Sequence, residues 1–186
     1  MILNWYNLWH FVIIISYIFA IVFFFIYRNN KNLKINLNID VKDTLFTFSM
    51  FSIIILLLSL AIYFRILELN PIKFTIIQIS FISFYFTVLI APVEELLFRG
   101  VITSWLIKKT NISIGLIVSA IIFGFVHLPN GSSRISLLDL NWKLALISGI
   151  SGLLFGVTYL KTKSIVNPIL LHITSSMIFV LFFGEL

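Results

Sequence analysis

Apolar runs long enough to cross a bilayer recur along this chain, and short polar segments separate them. A transmembrane helix needs roughly 20 apolar residues, and a backbone in hydrocarbon must satisfy its hydrogen bonds within helices. Charged residues make up 11% of the chain, against about 25% in an average soluble domain. The sequence therefore predicts an all-α, polytopic membrane helical bundle. The predicted apolar runs are 8–27, 44–64, 72–90, 92–108, 112–127, 142–160 and 165–183.

The number of spans depends on residues 72–108, where Pro92 interrupts the apolar sequence. One kinked helix there gives six transmembrane helices, and two helices give seven. A proline just inside a helix costs little, because the first turn does not use its N–H. We divide the chain into residues 1–70, with N-terminal transmembrane helices and a polar linker, and residues 71–186, a helical core that carries the polar motifs.

Composition excludes several kinds of site. The chain has no cysteine, so it has no disulfide, thiolate metal site or cysteine nucleophile. The net charge of +6 lies mainly between the apolar runs. Charges in these positions favour a role in setting membrane topology and contacting anionic lipid over nucleic-acid binding.

The first apolar run lacks a basic leader and a small-residue cleavage site, so we predict a retained span. The expected location is the cell membrane, as a multi-pass protein of a bacterial cytoplasmic membrane.

Two adjacent acids, Glu94 and Glu95, lie inside apolar sequence, although the whole chain holds only seven Asp and Glu residues. A carboxylate in hydrocarbon costs roughly 2.5–3.5 kcal/mol on insertion scales, so an ionisable residue there predicts a functional site. Side chains four residues apart share a helix face, so Arg99 can form an ion pair with Glu95. Glu94 points about 100° away on a helix and is available for other chemistry.

Histidines lie in two further apolar segments. His127 shares a helix face with Phe123, and His172 shares one with Ser176, because each pair is four residues apart. Measured along helices that meet at the turn 109–111, Glu94 and His127 lie about 22 and 27 Å from it. We therefore expect these two side chains to face each other at similar depth, whereas His172 needs a tilt or an inset loop to become level with them.

These motifs together resemble the CPBP family, which comprises CAAX proteases and bacteriocin-processing enzymes and is also called the Abi family. The resemblance covers about residues 90–177 and implies an all-helical intramembrane endopeptidase. Its substrate would be a membrane-associated peptide or protein, as in peptide-pheromone or bacteriocin maturation. The residues that carry it are Glu94-Glu95-x-x-x-Arg99, Phe123-x-x-x-His127, and His172 followed by Ser176.

The resemblance also implies roles. Glu94 and His127 would activate the attacking water, and His172 and Ser176 would stabilise the oxyanion. The family usually has Asn or Asp at the last of these positions. A serine hydroxyl can donate a hydrogen bond but reaches less far, and loss of one oxyanion donor can cost about 10²–10³ in rate. The supporting residues would be Glu95, Arg99 and Phe123.

Two mechanisms stay open. In the first, Glu94 is a general base and a water bridges it to His127. In the second, Glu94, His127 and His172 ligate zinc and leave a water position open. The sequence has no His-Glu-x-x-His helix, so local spacing does not indicate zinc, and we favour the metal-free chemistry slightly.

Two other functions are alternatives to the protease. A bacteriocin self-immunity protein or membrane scaffold would bind its partner without catalysis, so Glu94→Gln would leave its phenotype intact. A proton relay or small transporter would have polar residues along the full membrane depth.

The orientation of the chain in the membrane is open too. Six spans place most of the 13 Lys and Arg residues on the cytoplasmic side, whereas the cytosol-facing site of CAAX proteases fits seven spans better.

Overall fold

The computed structural model describes residues 40–69, 75–128 and 141–183, and the predicted first span, 8–27, lies outside them. Every regular element in these ranges is a helix, and four of the helices are long and apolar enough to cross a membrane. This confirms the predicted all-α membrane bundle. The helices are α1 Val41–Tyr63, α2 Ile76–Lys109, α3 Ile112–Phe125, α4 Trp142–Thr162 and α5 Val166–Phe183.

Helix α2 shows that residues 76–108 form one helix and not two, because it runs unbroken through Pro92. Its backbone widens to π-helical hydrogen bonding at Tyr85–Ile90 and Leu96–Thr103. The amide of Ala91 accordingly donates to the carbonyl of Phe86, five residues earlier. Proline lacks an N–H, so a regular α-helical ladder cannot continue through position 92. Within the described residues the acidic segment is therefore one helix, and the total number of spans stays a prediction because residues 8–27 lie outside them.

Helices α2 and α3 form an antiparallel hairpin. Asn111 begins α3, and its side chain accepts a hydrogen bond from the amide of Ile114 at 2.9 Å. Deeper in the hairpin, the hydroxyls of Thr103 and Ser119 lie 2.6 Å apart. The hairpin aligns the end of α3 with the acidic turn of α2, as the depth estimate predicted.

Glycines let α3 and α4 pack closely, which is the usual way for helices to associate in lipid. A Cβ built on Gly124 would lie 2.5 Å from the carbonyl oxygen of Ala145. A Cβ on Gly152 would lie 2.8 Å from the ring of Phe123. Glycine at position 152 therefore leaves the space that the Phe123 ring occupies.

Helix α1 runs parallel to α5, since residues near the two helix starts are in contact. The hydroxyl of Thr47, near the start of α1, donates to Oδ1 of Asn167, near the start of α5, at 3.0 Å. The bundle thus has two ends. We call one the turn end; it holds the start of α1 and the turns 110–111 and 163–165. We call the other the loop end; it holds the end of α1, the end of α3 and the start of α4. The buried core between them includes Phe98, Phe123, Phe155 and Leu171.

Candidate active site

A buried ion pair lies at the centre of the site. Arg99 Nε and Glu95 Oε2 are 3.0 Å apart, and both side chains are at most 1% exposed. The Nε–H bond of Arg99 does not point closely enough at Glu95 Oε2 for a hydrogen bond, so the attraction between the two side chains is chiefly electrostatic. Arg99 Nη2 donates to the carbonyl oxygen of Gly152 at 2.7 Å. The structure therefore contains the pair that the four-residue spacing predicted, and joins it to α4.

Three aromatic rings surround the Arg99 guanidinium. Its Cζ lies 4.7 Å from the ring centroid of Phe123, 5.3 Å from that of Phe155 and 5.8 Å from that of Phe98. These distances are within the range of cation–π attraction. A carboxylate, a carbonyl and three ring faces thus compensate a cation that is almost completely removed from solvent.

His172 binds the second oxygen of the same carboxylate. Its Nδ1 lies 3.0 Å from Glu95 Oε1, and its ring stacks on Phe155 with centroids 4.9 Å apart and planes 23° apart. A carboxylate can only accept a hydrogen bond, so Nδ1 carries the hydrogen. The ring is fixed on one edge by Glu95, which leaves Nε2 directed at Glu94, 3.9 Å from its Oε2.

His127 has a different partner on its Nδ1. This atom lies 2.8 Å from the backbone carbonyl oxygen of Phe123, one helical turn earlier. A carbonyl oxygen also only accepts, so the hydrogen is again on Nδ1. His127 Nε2 then faces Glu94 Oε2, which is 3.9 Å away.

The structure thus brings together three of the predicted residues, Glu94, His127 and His172. A separation of 3.9 Å is too long for a direct hydrogen bond, and Glu94 Oε2 is buried with no hydrogen-bond partner among the described residues. The Glu94 side chain is nevertheless 29% exposed, compared with 16% for His127 and 6% for His172. The cluster therefore reaches the surface beside Glu94, whereas the ion pair behind it does not.

The Ser176 hydroxyl is not engaged with the rest of the site. It lies one turn after His172 on α5 and is partly buried, and it makes no hydrogen bond to any residue in the described ranges. Its neighbour Ser175 bonds back to the carbonyls of Leu171 and His172, at 2.8 and 3.0 Å. The role of Ser176 in binding an oxyanion stays a prediction.

The three converging residues do not fit zinc as they stand. Ligand atoms at about 2.0–2.2 Å from a tetrahedral zinc lie roughly 3.3–3.6 Å apart. Glu94 Oε2 is 3.9 Å from each histidine Nε2, and no group of three His, Asp or Glu side chains within the described residues is spaced to hold a metal ion. We therefore derive no step through a metal at this site.

Two contributors to the site were missed by the sequence analysis. The carbonyl of Gly152 is the hydrogen-bond acceptor of Arg99, and a backbone carbonyl leaves no mark in a sequence motif. Phe155 contacts both Arg99 and His172. Its spacing of three residues from Gly152 puts it on the same face of α4, so Phe155 could have been found only once Gly152 was known.

Comparison with known proteins gives one match. The family model described as type II CAAX prenyl endopeptidase Rce1-like matches residues 76–178, whereas no curated protein and no solved structure matches the chain. The matched segment is more than half of the chain, and it contains α2, α3, α4, most of α5 and all the site residues described above. The chain therefore belongs to the Rce1-like family of type II CAAX prenyl endopeptidases.

Proposed function

We propose that this protein is an intramembrane endopeptidase in which Glu94 activates a water molecule for attack on a peptide carbonyl. The observation that carries this proposal is the position of Glu94 Oε2, unpartnered and 3.9 Å from Nε2 of both His127 and His172. Family membership supports the class of reaction, and the geometry supports the choice of base.

A bridging water fits the spacing between Glu94 and His127. A water about 2.8 Å from each of two atoms that are 3.9 Å apart subtends an angle of roughly 90°. Because Nδ1 of His127 carries the hydrogen, Nε2 is an acceptor in the neutral ring. A water that donates one hydrogen to Glu94 and the other to His127 has its lone pairs free to attack a carbonyl carbon.

The two histidines differ in their second partner, and this difference supports two roles. His127 donates from Nδ1 to the backbone carbonyl of Phe123, which leaves Nε2 to accept from water. His172 donates from Nδ1 to the Glu95 carboxylate, 3.0 Å away, and this carboxylate would balance the charge of the ring when Nε2 also carries a hydrogen to donate. His172 is therefore the better candidate to donate a hydrogen bond to the oxyanion.

The steps balance without another reactant. Glu94 takes one proton from the water while the water oxygen bonds to the carbonyl carbon of the substrate. The carbonyl oxygen of the substrate becomes the oxyanion beside His172. Collapse of the tetrahedral intermediate breaks the C–N bond, and Glu94 returns the proton to the leaving amine. Ser176 would add a second donor to the oxyanion when substrate draws its hydroxyl into place.

Glu95 and Arg99 act through other residues in this proposal. Glu95 orients His172 by accepting from its Nδ1, while Arg99 holds Glu95 and is itself held by Gly152 and Phe123. They are positioning residues, since neither has a free atom on the exposed side of the cluster.

The test is cleavage of quenched fluorescent peptides by the purified protein in detergent. One peptide set carries a farnesylated cysteine four residues from the carboxyl terminus, and a second set has the same sequences without lipid. We expect cleavage of at least one set, and a loss of about 10²–10⁴ in rate for Glu94→Gln. Glu68→Gln, which changes an exposed acid outside the site, is the matched control. Unchanged cleavage by Glu94→Gln would refute Glu94 as the base.

A chelator arm separates the two mechanisms that the sequence left open. The glutamate–water route predicts no effect of chelator, whereas the zinc route predicts a loss that added zinc restores. Comparing the two peptide sets with each other reports the substrate class. Cleavage confined to the lipidated set would show a requirement for a prenyl group. Cleavage of both sets would show that the peptide alone is recognised.

One observation favours a non-catalytic immunity or scaffold protein as the second candidate. Ser176 stands where the family usually has Asn, and its hydroxyl is not hydrogen bonded to any described residue. If neither peptide set is cut, and Glu94→Gln protects cells from a bacteriocin as well as wild type does, the binding function is the correct one.

A further inference from the structure

His172 reaches Glu94 because α5 begins deep in the bundle. Measured along the helices, His172 is only about 14 Å from the turn 163–165, whereas Glu94 is about 22 Å from the turn 110–111. The two side chains can meet only if α5 begins about 8 Å deeper than the other turn. The turn 110–111 is exposed, whereas Ser164 in the turn 163–165 is 0% exposed, so the second connection is inset.

The start of α1 fixes how far α5 is inset. The Thr47 hydroxyl of α1 donates to Oδ1 of Asn167 of α5 at 3.0 Å. Six residues precede Thr47 in α1 and one precedes Asn167 in α5. Because the two helices run parallel, α1 extends beyond the start of α5 by five residues, or about 7.5 Å. This offset is close to the depth that His172 requires.

The Thr47–Asn167 hydrogen bond lies inside the bundle, since the two residues are 9% and 1% exposed. Nδ2 of Asn167 is buried without a partner among the described residues, which costs stability, so stability alone does not explain the pair. Contacts between apolar side chains do little to set the relative depth of two helices in lipid. A buried polar contact does set it, as a buried asparagine fixes the register of coiled coils.

We propose that Thr47 and Asn167 are positioning residues that hold α5 at the depth at which His172 meets the two glutamates. Asn167 lies five residues before His172 on the same helix, so a slide of α5 along its axis moves both. Such a slide changes the 3.0 and 3.9 Å separations of His172 from the glutamates, and a misplacement of about 1 Å can cost about 10² in rate. The inference rests on the proposed endopeptidase function, and it gives α1, which precedes the matched segment 76–178, a part in the reaction.

Paired variants at position 47 test this in the peptide assay. Thr47→Val keeps the size of the side chain and removes the hydroxyl, whereas Thr47→Ser keeps the hydroxyl. Thr44→Val is the matched control, since the Thr44 hydroxyl donates to the carbonyl of Asp40 at the start of its own helix. We expect Thr47→Val to lower kcat by about 10–10² with little change in KM, and the other two variants to match wild type. No loss in Thr47→Val, or an equal loss in Thr47→Ser, would overturn the proposal.

The double variant Thr47→Val with Asn167→Leu separates positioning from stability. It leaves neither buried polar side chain of the pair unpartnered, so its Tm should equal or exceed that of Thr47→Val. The polar contact between α1 and α5 is still missing, so we expect kcat to stay low. A kcat that returns to the wild-type value together with the Tm would show that the hydrogen bond serves stability only.

A spectroscopic measurement tests the positioning without any cleavage. The chain has three histidines, so selective ¹⁵N labelling of histidine gives few imidazole signals, and His172→Gln assigns one of them. We expect Thr47→Val to shift the Nδ1–H signal of His172 and to leave that of His127 unchanged. An unchanged His172 signal would overturn the proposal. A shifted signal in a protein that cuts no peptide would support the positioning and count against the endopeptidase function alone.

Discussion

Arg99→Met is the sharpest test of how the buried site is held together. The substitution keeps an unbranched, apolar stem but removes the cation, so Glu95 loses the charge 3.0 Å away. It also leaves the Gly152 carbonyl without its donor and removes the cation from three ring faces. Breaking one partner of a buried ion pair costs about 3–5 kcal/mol, because an uncompensated charge stays buried.

The expected result is a Tm lowered by roughly 6–20 °C, since about 1 kcal/mol shifts the Tm of a chain of this size by about 2–4 °C. Thermal unfolding of the purified protein in detergent, followed by circular dichroism, measures it. Lys143→Met is the matched control, because it removes an exposed cation and should change stability by no more than about 0.5 kcal/mol.

The double variant Glu95→Gln with Arg99→Met makes the reasoning refutable. It removes both charges, and replacing a complete buried pair is often close to neutral. We therefore expect the double variant to be more stable than Arg99→Met alone. If the single variant loses less than about 1 kcal/mol, or if the double variant is the less stable of the two, the ion pair does not stabilise the site as argued.

Three further predictions concern single residues. Glu94→Gln should leave the Tm within a few degrees of wild type while it abolishes cleavage, because the side chain is 29% exposed and supports no other group; a large drop in Tm would assign it a structural role. Gly152→Ala should destabilise the protein by about 1–3 kcal/mol, because the new Cβ would lie 2.8 Å from the Phe123 ring. Gly100→Ala is the control in the same unfolding experiment: its Cβ would have nothing within 4 Å, so it should be neutral or stabilising. Ser176→Asn should raise kcat, by up to about 10²–10³, if the serine is a weak oxyanion donor; an unchanged kcat in the peptide assay would remove this position from the mechanism.

The sequence was sufficient for those parts of the site that depend on spacing along one helix. A separation of four residues predicted that Glu95 and Arg99 could pair and that His127 shares a face with Phe123. Distance from the turn at 109–111 was enough to expect Glu94 opposite His127. In each case the geometry follows from helix pitch and rise, which vary little between proteins.

Contacts between helices that are distant in the sequence could not be predicted in this way. The Gly152 carbonyl carries no side-chain signal, and its hydrogen bond to Arg99 depends on how closely α4 approaches α2. The two π-helical stretches of α2 also change the angular positions of residues relative to a regular helix. Pro92 could have indicated the first stretch, but nothing in the sequence pattern marks the second.

The different partners of the two histidines lead to a last prediction, made on the double variant Glu95→Gln with Arg99→Met. A glutamine oxygen at position 95 can still accept from Nδ1 of His172, so the ring can keep its orientation. The neutral amide removes the negative charge beside His172, so this ring loses electrostatic support for donating to an oxyanion. We expect kcat to fall by about 10²–10³ with little change in KM, in a protein whose circular dichroism spectrum matches that of wild type. Unchanged kcat in this folded variant would show that the Glu95 charge is not needed for catalysis.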